Sequence, residues 1–297
     1  MHKAFLLGAG LGTRLRPLTD SLPKPLIPFK NRPLVTHIMD YCLEAGITDF
    51  AINTHHLPEA WHEAFPDKTY RGASLTFFHE PDLLETGGGL KNIASWIGYN
   101  SILIHNADIL TGLPLERLIT GHMSSNNTAT LAVQDHGPAL RLAVDGYSIT
   151  DINGKVSGQP GTHQFTGVYV VDPEILDLIP EGEKVSIKPA FQELIQRGEL
   201  GAYLVKGNPG WMDLGTRESY LEASFESTPE ISPDTDIAPT ATITNSWVAP
   251  GCRIGDRAKI IDSILWPETI ILDDAELTKC IVHSKSPAAG VFLDADL

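Results

Sequence analysis

Apolar and polar positions follow two regimes along this chain. Up to about residue 225, short apolar runs alternate with amphipathic stretches. Ala4-Phe5-Leu6-Leu7 is a continuous apolar run, the pattern of a strand buried on both faces. Leu34, Val35, Ile38, Met39 and Cys42 recur at helical spacing, and Gly46 marks the stop. Residues 49–53 and 74–78 read as further strands, with a short helix over 57–65 between them. A helix is expected from Glu85 to about Ile97, then a strand over 101–108, a helix over 115–124 and a strand over 128–133. Residues 140–144 and 147–152 read as a hairpin turning at Asp145-Gly146. A strand over 164–171, a helix over 186–197 and a helix from Arg217 to about Phe225 complete the series. Strands alternating with helices predict an α/β fold with a doubly wound, mainly parallel sheet. In such sheets ligands bind at the carboxyl ends of the strands.

Beyond Pro229 the periodicity changes. Ile231, Ile237 and Ile243 are six apart. Ile237, Ile254 and Ile271 are seventeen apart, as are Ile243, Ile260 and Leu277, and Val248, Leu265 and Val282. Asn245-Ser246, Asp262-Ser263 and Lys279-Cys280 keep the same period. Apolar columns in register predict stacked coils, whereas a disordered acidic linker would hold no register. The pattern is similar to the hexapeptide left-handed β-helix, with one hexad per coil shortened to five. The expected division is a first domain over 1–225, a short β-helix over 230–286 and a tail over 287–297. So short a β-helix has open ends and little core. It is expected to pack on the first domain or on a second copy of the chain, giving a homo-oligomer.

The chain has 297 residues, 42% apolar and 20% charged, which suits a soluble globular protein with a sizeable core. No apolar run approaches membrane-spanning length. The first strand is expected to begin at once, so no signal peptide is expected. Cys42, Cys252 and Cys280 form no metal motif and read as reduced thiols, so a cytoplasmic setting is expected. The net charge of −15 argues against nucleic acid or an anionic membrane as partner. Residues 1–32 nevertheless hold six Lys/Arg and one acid. A local basic site in an acidic protein points to a small polyanionic ligand.

That basic stretch reads Gly8-Ala9-Gly10-Leu11-Gly12-Thr13-Arg14-Leu15-Arg16-Pro17, with Pro23-Lys24-Pro25-Leu26 after it. A glycine-rich turn after a buried strand brings backbone N–H groups close to an oxyanion. It lacks the G-x-G-x-x-G spacing of a dinucleotide fingerprint and the Gly-Lys-Ser/Thr of a Walker A loop. A ligand-free turn is the plain alternative, and the cluster of Arg14, Arg16 and Lys24 favours a site. Asn53-Thr54-His55-His56 and His79-Glu80-Pro81 fall on the same rim. Glu85-Thr86-Gly87-Gly88-Gly89 opens a helix and either admits a flat ring or an anion, or is a flexible cap. Asp108 ends an apolar strand, where a carboxylate either holds a metal beside phosphates or caps the following turn. Gly167 marks a bulge or a pocket wall, and Lys188 a solvated lysine or an anion ligand.

The string LGAGLGTRLRPLT followed by PKPLIP resembles the signature of the sugar-1-phosphate nucleotidylyltransferases, or NDP-sugar pyrophosphorylases. The resemblance covers residues 1 to about 225 and implies a Rossmann-like nucleotidyltransferase fold. It implies nucleotide contacts from Leu7, Gly8, Ala9, Gly10, Gly12 and Thr13, with Arg14 on the β- and γ-phosphates. Lys24 would bridge the α-phosphate and the incoming sugar phosphate. LLETGGG, with Thr86, Gly87 and Gly88, looks like the base-holding element, particularly the form found in muramate-1-phosphate uridylyltransferases. Backbone groups around Gly10, Glu80 and Gly88 would read the base, and Asn53, His55 and His56 on the neighbouring rim would either reach the base or ribose or merely cap the turn. Asn106-Ala107-Asp108 stands where the family has Asn-Gly-Asp, and Trp211-Met212-Asp213-Leu214-Gly215-Thr216 matches its W-x-D-x-G-T. Asp108 and Asp213 would thus be ligands of Mg²⁺. Asn106, Thr166, Gly167, Lys188 and Thr216 would face the sugar phosphate.

The implied reaction converts an NTP and a sugar 1-phosphate to NDP-sugar and pyrophosphate. Residues 80–90 favour UTP with an N-acetyl-hexosamine-type sugar. The tail, similar to that of guanylyltransferases, makes GTP the next choice. A cytidylyltransferase acting on a non-sugar phosphate such as phosphocholine is one alternative. A catalytically inactive nucleotide-sugar-binding subunit is another, although Arg14, Lys24, Asp108 and Asp213 are all retained. An acyl-transferring tail ranks last, with His283 its one histidine.

Overall fold

A computed structural model describes residues 1–207 and 209–297, which divide into two compact units. The first unit comprises Met1–Leu11, Pro23–Pro25 and Val35–Asp213. The second comprises Gly12–Leu22, Leu26–Leu34 and Leu214–Leu297.

The first unit is built on one sheet of ten strands. From edge to edge they are Leu142–Asp145, Ser148–Ile152, Leu200–Leu204, Ala129–Gln134, Gln164–Val171, Ile102–Asn106, Lys3–Leu7, Asp49–Thr54, Ala73–His79 and Thr69–Tyr70. Lys3–Leu7 lies in a parallel block with Ile102–Asn106 on one side and Asp49–Thr54, then Ala73–His79, on the other. Ala4, Phe5 and Leu6 are fully buried, which explains the unbroken apolar run. Gln164–Val171 runs antiparallel between Ile102–Asn106 and Ala129–Gln134, and the expected hairpin forms the far edge. The sheet is therefore of the expected doubly wound α/β kind, with an antiparallel flank beside its parallel centre. Leu90, Ile93, Ile97, Phe191 and Leu194 from the helices pack with the sheet residues Phe5, Ile104, Leu131 and Tyr169 in one core. Among the described residues no helix is long and apolar enough to cross a membrane.

Helix boundaries deviate where local chemistry intervenes. The helix expected over 85–97 is two pieces, Glu85–Asn92 and Ala94–Ile97, separated at Ile93 and stopped by Gly98 at φ 62°. The helix expected from Ser186 begins at Lys188, because the Ser186 hydroxyl accepts from Lys188 N at 3.3 Å and Pro189 suits the first turn.

The second unit holds a three-faced stack of coils. The expected columns are the observed register: Ile237, Ile254 and Ile271 pair in parallel, as do Ile243, Ile260 and Leu277, and Val248, Leu265 and Val282. One corner of each coil turns through a left-handed residue at the same period: Asn245 (φ 44°), Asp262 (φ 49°) and Lys279 (φ 54°). Beside that corner the Ser246 hydroxyl accepts from Ser263 N, and the Ser263 hydroxyl from Cys280 N, both at 3.0 Å. Residues 287–297 are not a free tail. Val291–Leu293 pairs in parallel with Glu276–Thr278, so this segment is the last coil. Its alternation is short and interrupted by Ser-Pro and Gly, which hid the strand. The helix Arg217–Ser224 also belongs to this unit, and Arg217 donates to Asp294, Asp296 and the Lys279 carbonyl.

Ile260 lies fully buried in the middle coil. Ile260→Ala is expected to destabilise the fold by about 2–5 kcal/mol, through lost transfer energy and a cavity. Urea unfolding checks this, and an unchanged midpoint would show that the coils do not unfold with the measured transition.

Candidate active site

The carboxyl ends of the parallel strands are tied together by buried polar groups. Gly8 N, just past the first strand, donates to Asn53 Oδ1 at 2.8 Å. Asn53 Nδ2 donates to Glu80 Oε1 at 2.7 Å, and Glu80 Oε2 accepts from Leu84 N at 2.9 Å. Asn53 is 3% exposed and Glu80 0%, so each lost bond would leave an expensive unsatisfied group. The chain of bonds holds three strand ends and the following loop in one geometry. Glu80 is corrected from the expected nucleotide contact. Its N–H is taken by the Thr54 carbonyl, its carbonyl accepts from His55 Nδ1, and its carboxylate faces inward. It positions the rim, while Asn53 lines the cleft.

The glycine run has a second explanation as well. Gly87 N and Gly88 N both donate to the Val185 carbonyl at 2.9 Å. A Cβ added at Gly88 would lie 2.4 Å from the Glu183 carbonyl oxygen. The helix start is therefore bare because residues 183–186 cross it at backbone distance. Gly87 and Gly88 do not line the cleft, contrary to expectation, whereas Thr86 does. Thr86 Oγ1 accepts from Ile187 N at 3.0 Å, which fixes the crossing segment.

Lys24 meets two acids. Ile109–Leu110 and Met212–Asp213 form a small antiparallel pair, with Asp213 opposite Ile109 and so beside Asp108. Lys24 Nζ is 2.7 Å from Asp108 Oδ2 and 3.8 Å from Asp213 Oδ1. The lysine side chain is 8% exposed, and a buried ammonium is tenable only with such counter-charges. Among the described residues no three His, Cys, Asp or Glu side chains form a metal cluster. Two carboxylates suit a hard cation that takes its remaining ligands from water and phosphate, as magnesium does, and are too few for a closed structural site.

Two adjoining cavities, each of about 400 Å³, share Leu7, Thr86, Asn106, Ser186 and Lys188 as walls. One continues along Ala9, Gly10, Asn53 and Asp108. The other is more apolar and continues along Phe165, Gly167, Phe191, Trp211 and Asp213. Gly167 stands at φ 83° where the register shifts between Phe165 and Tyr169, so it is both bulge and wall. Thr166 lines the cavity, but its hydroxyl donates to the Ala132 carbonyl at 2.9 Å and its own carbonyl accepts from Trp211 Nε1 at 2.8 Å. It supplies shape rather than a free hydroxyl. Gly12, Thr13, Arg14 and Thr216 belong to the second unit. Gly12 turns at φ 62° into the turn Thr13–Leu15, and Thr216 caps Arg217–Ser224 through Ser219. Ser186, Arg141 and Trp211 line the cavities without having been named as site residues. Trp211 alone carried a signal, from its place in the W-x-D-x-G-T string.

A family model described as nucleotidyl transferase matches residues 3–229. The chain is similar to a mannose-1-phosphate guanylyltransferase of Mycobacterium tuberculosis, at 31% identity over 238 residues, 77% of this chain and 66% of that protein. It is also similar to a UTP–glucose-1-phosphate uridylyltransferase of Synechocystis, at 27% identity over 242 residues, 74% of this chain and 62% of that protein. The chain thus spans slightly under two thirds of the length of these relatives. Its fold is similar to that of a UTP-bound UGPase from Acinetobacter baumannii, with TM-score 0.65 at 21% identity over 76% of this chain and 93% of that one. It is likewise similar to a UDP-glucose pyrophosphorylase complexed with UDP-glucose, with TM-score 0.63 at 19% identity over 75% of this chain and 97% of that one.

Gly88→Ala tests the crossing segment. Alanine gains up to about 1 kcal/mol of helix propensity, but overpacking against a backbone carbonyl costs about 1–3 kcal/mol. A lower melting temperature is expected, and a higher one would show that residues 183–186 yield. His105, 1% exposed, gives a pH signature. Burial lowers its pKa from 6.5 to about 4, against the opposing bond to the Asn106 carbonyl and the Asp108 charge. The unfolded chain therefore takes up a proton first as pH falls. Stability is full above about pH 6.5 and falls by roughly 3 kcal/mol on reaching pH 4. Urea unfolding across that window should show the loss in the wild type and a smaller one in His105→Asn.

Proposed function

Because the chain belongs to the nucleotidyl transferase family, we propose that it transfers a nucleotidyl group from an NTP to a sugar 1-phosphate, releasing pyrophosphate. One observation carries this reading. Asp108 lines one cavity and Asp213 the other, and the Lys24 ammonium reaches both carboxylates. Two substrates placed in the two cavities would bring their phosphates together at that point.

The nucleophile, a sugar phosphate oxygen, is already anionic and needs no general base. It forms a bond to the α-phosphorus as the bond from that phosphorus to the bridging oxygen of the β-phosphate breaks, and pyrophosphate departs with its charge. Positioning and charge neutralisation then carry the catalysis. Ala9 and Gly10 offer the loop backbone to the nucleotide. Lys24 sits between the α-phosphate and the incoming phosphate, and Lys188, on the wall of both cavities, holds the sugar phosphate. Arg14 is assigned to the leaving phosphates by its place in the signature. Asp108 and Asp213 would hold Mg²⁺, which, when bound, offsets phosphate charge and fixes phosphate orientation.

Uracil is the proposed base, following the likeness of residues 80–90, with an N-acetyl-hexosamine-type sugar. Guanine is the second reading. It is favoured by Glu85, a carboxylate on the nucleotide cavity wall that suits the N1–H and N2–H₂ edge of guanine.

Pyrophosphate release from UTP, GTP, CTP, ATP and dTTP, each with a panel of sugar 1-phosphates and Mg²⁺, tests the reading. Release is expected only with a sugar phosphate present and fastest with UTP. Fastest release with GTP would select the second base, and release from CTP with phosphocholine alone would overturn the substrate class. Lys24→Ala should lower kcat/KM roughly 10²-fold while leaving the protein folded. Near-normal turnover by that variant would remove Lys24 from its role.

A further inference from the structure

The coils were expected to pack on the first domain or on a second copy of the chain. Within the second unit they fold with the segments Gly12–Leu22 and Leu26–Leu34. Tyr220, on the helix Arg217–Ser224, is fully buried, and its hydroxyl donates to the Pro28 carbonyl. The same hydroxyl accepts from Trp266 Nε1 of the coils at 3.2 Å. Trp247 Nε1, also of the coils, donates to the Ser224 carbonyl at 2.8 Å, and Ser224 Oγ donates to the Tyr220 carbonyl at 2.7 Å. The Phe29 ring packs against the Tyr220 ring at 6.4 Å. At the next turn Asn31 Nδ2 donates to the carbonyls of Glu230 and Val248, both at 3.1 Å. A buried phenol with donor and acceptor both used tolerates little displacement, because any shift leaves a polar group unpaired in an apolar setting.

Lys24 is linked to this arrangement through the chain. It sits in the bridge Pro23–Pro25, whose neighbours on both sides, Leu22 and Leu26, belong to the second unit. Lys24–Leu26 is a single 3₁₀ turn, two residues short of Pro28. The two prolines stiffen the bridge, so little slack separates the held carbonyl from the lysine backbone.

We propose that Tyr220 is a positioning residue for the transfer reaction, and that the Trp266–Tyr220–Pro28 relay lets the coils set the backbone that presents Lys24. The coils are then part of the catalytic apparatus. This rests on the function proposed above.

Tyr220→Phe removes the hydroxyl and keeps the ring. It is expected to lower kcat roughly 10-fold, with KM for both substrates nearly unchanged, since misplacement of a catalytic group by a fraction of an ångström is felt mainly in the transition state. Trp266→Phe, which leaves the bond to Pro28, should lower kcat less. Amide hydrogen exchange by mass spectrometry should show faster exchange over residues 26–34 in Tyr220→Phe. A merely structural tyrosine would lower the melting temperature and leave kcat of the folded protein unchanged, and that result overturns the proposal. Unchanged exchange over 26–34 overturns it too. Should Tyr220→Phe fail to fold, the half-buried Asn31→Ala must show the same pairing of lower kcat and faster exchange, or the proposal falls. Absence of turnover in the wild type would overturn the function itself. Wild-type turnover with unaltered kcat in the variants would overturn this inference alone.

Discussion

A buried ammonium facing two carboxylates is the constraint on which this structure turns. Lys24 is desolvated, so it needs Asp108 and Asp213, and the fold must deliver all three from distant places in the chain. Asp108 arrives at the end of the central parallel block. Asp213 arrives through the two-residue pairing of Met212–Asp213 with Ile109–Leu110. Lys24 arrives on a three-residue bridge between segments that fold with the C-terminal coils. The Asn53–Glu80 chain and the crossing of residues 183–186 hold the strand ends and the helix start that frame them.

The same constraint bears on chemistry. One cation between two acids leaves a net negative centre that a divalent ion and phosphates would complete, in a protein whose overall charge of −15 otherwise repels anions. The hydroxyls shared by both cavities, Thr86 and Ser186, each accept a backbone N–H, and the Thr166 hydroxyl is committed to the sheet. On the proposed reading the cleft places and neutralises phosphates rather than attacking them, which is the logic of a direct transfer between substrates.

Much of this was legible because it is periodic or local. The buried strand Lys3–Leu7 shows as an apolar run, and the coils show as columns seventeen apart that became the observed register. The basic signature and the strand-end Asp108 stood out against an acidic background. What stayed hidden depends on partners far away in sequence. Gly87 and Gly88 looked like room for a base, yet their bareness answers to Glu183 and Val185, nearly a hundred residues on. Glu80 looked like a rim ligand but faces Asn53 and Leu84. Residues 287–297 carry too few alternating positions to read as a coil, and they become one by pairing with Glu276–Thr278, Ile271 and Ile281 of the preceding coil. The partnership of the coils with Pro28 and Asn31 had no local mark at all, since a tyrosine hydroxyl and an indole N–H find their partners only in three dimensions.

The claim that this charged triad serves direct transfer between two bound phosphates is tested most directly by stereochemistry at the α-phosphorus. With a single diastereomer of an α-thio NTP and a sugar 1-phosphate, ³¹P NMR of the nucleotide-sugar product reads the configuration. A single in-line displacement predicts inversion. Retention would mean two displacements through a covalent nucleotidyl–protein species, and would contradict a cleft in which no side chain acts as nucleophile.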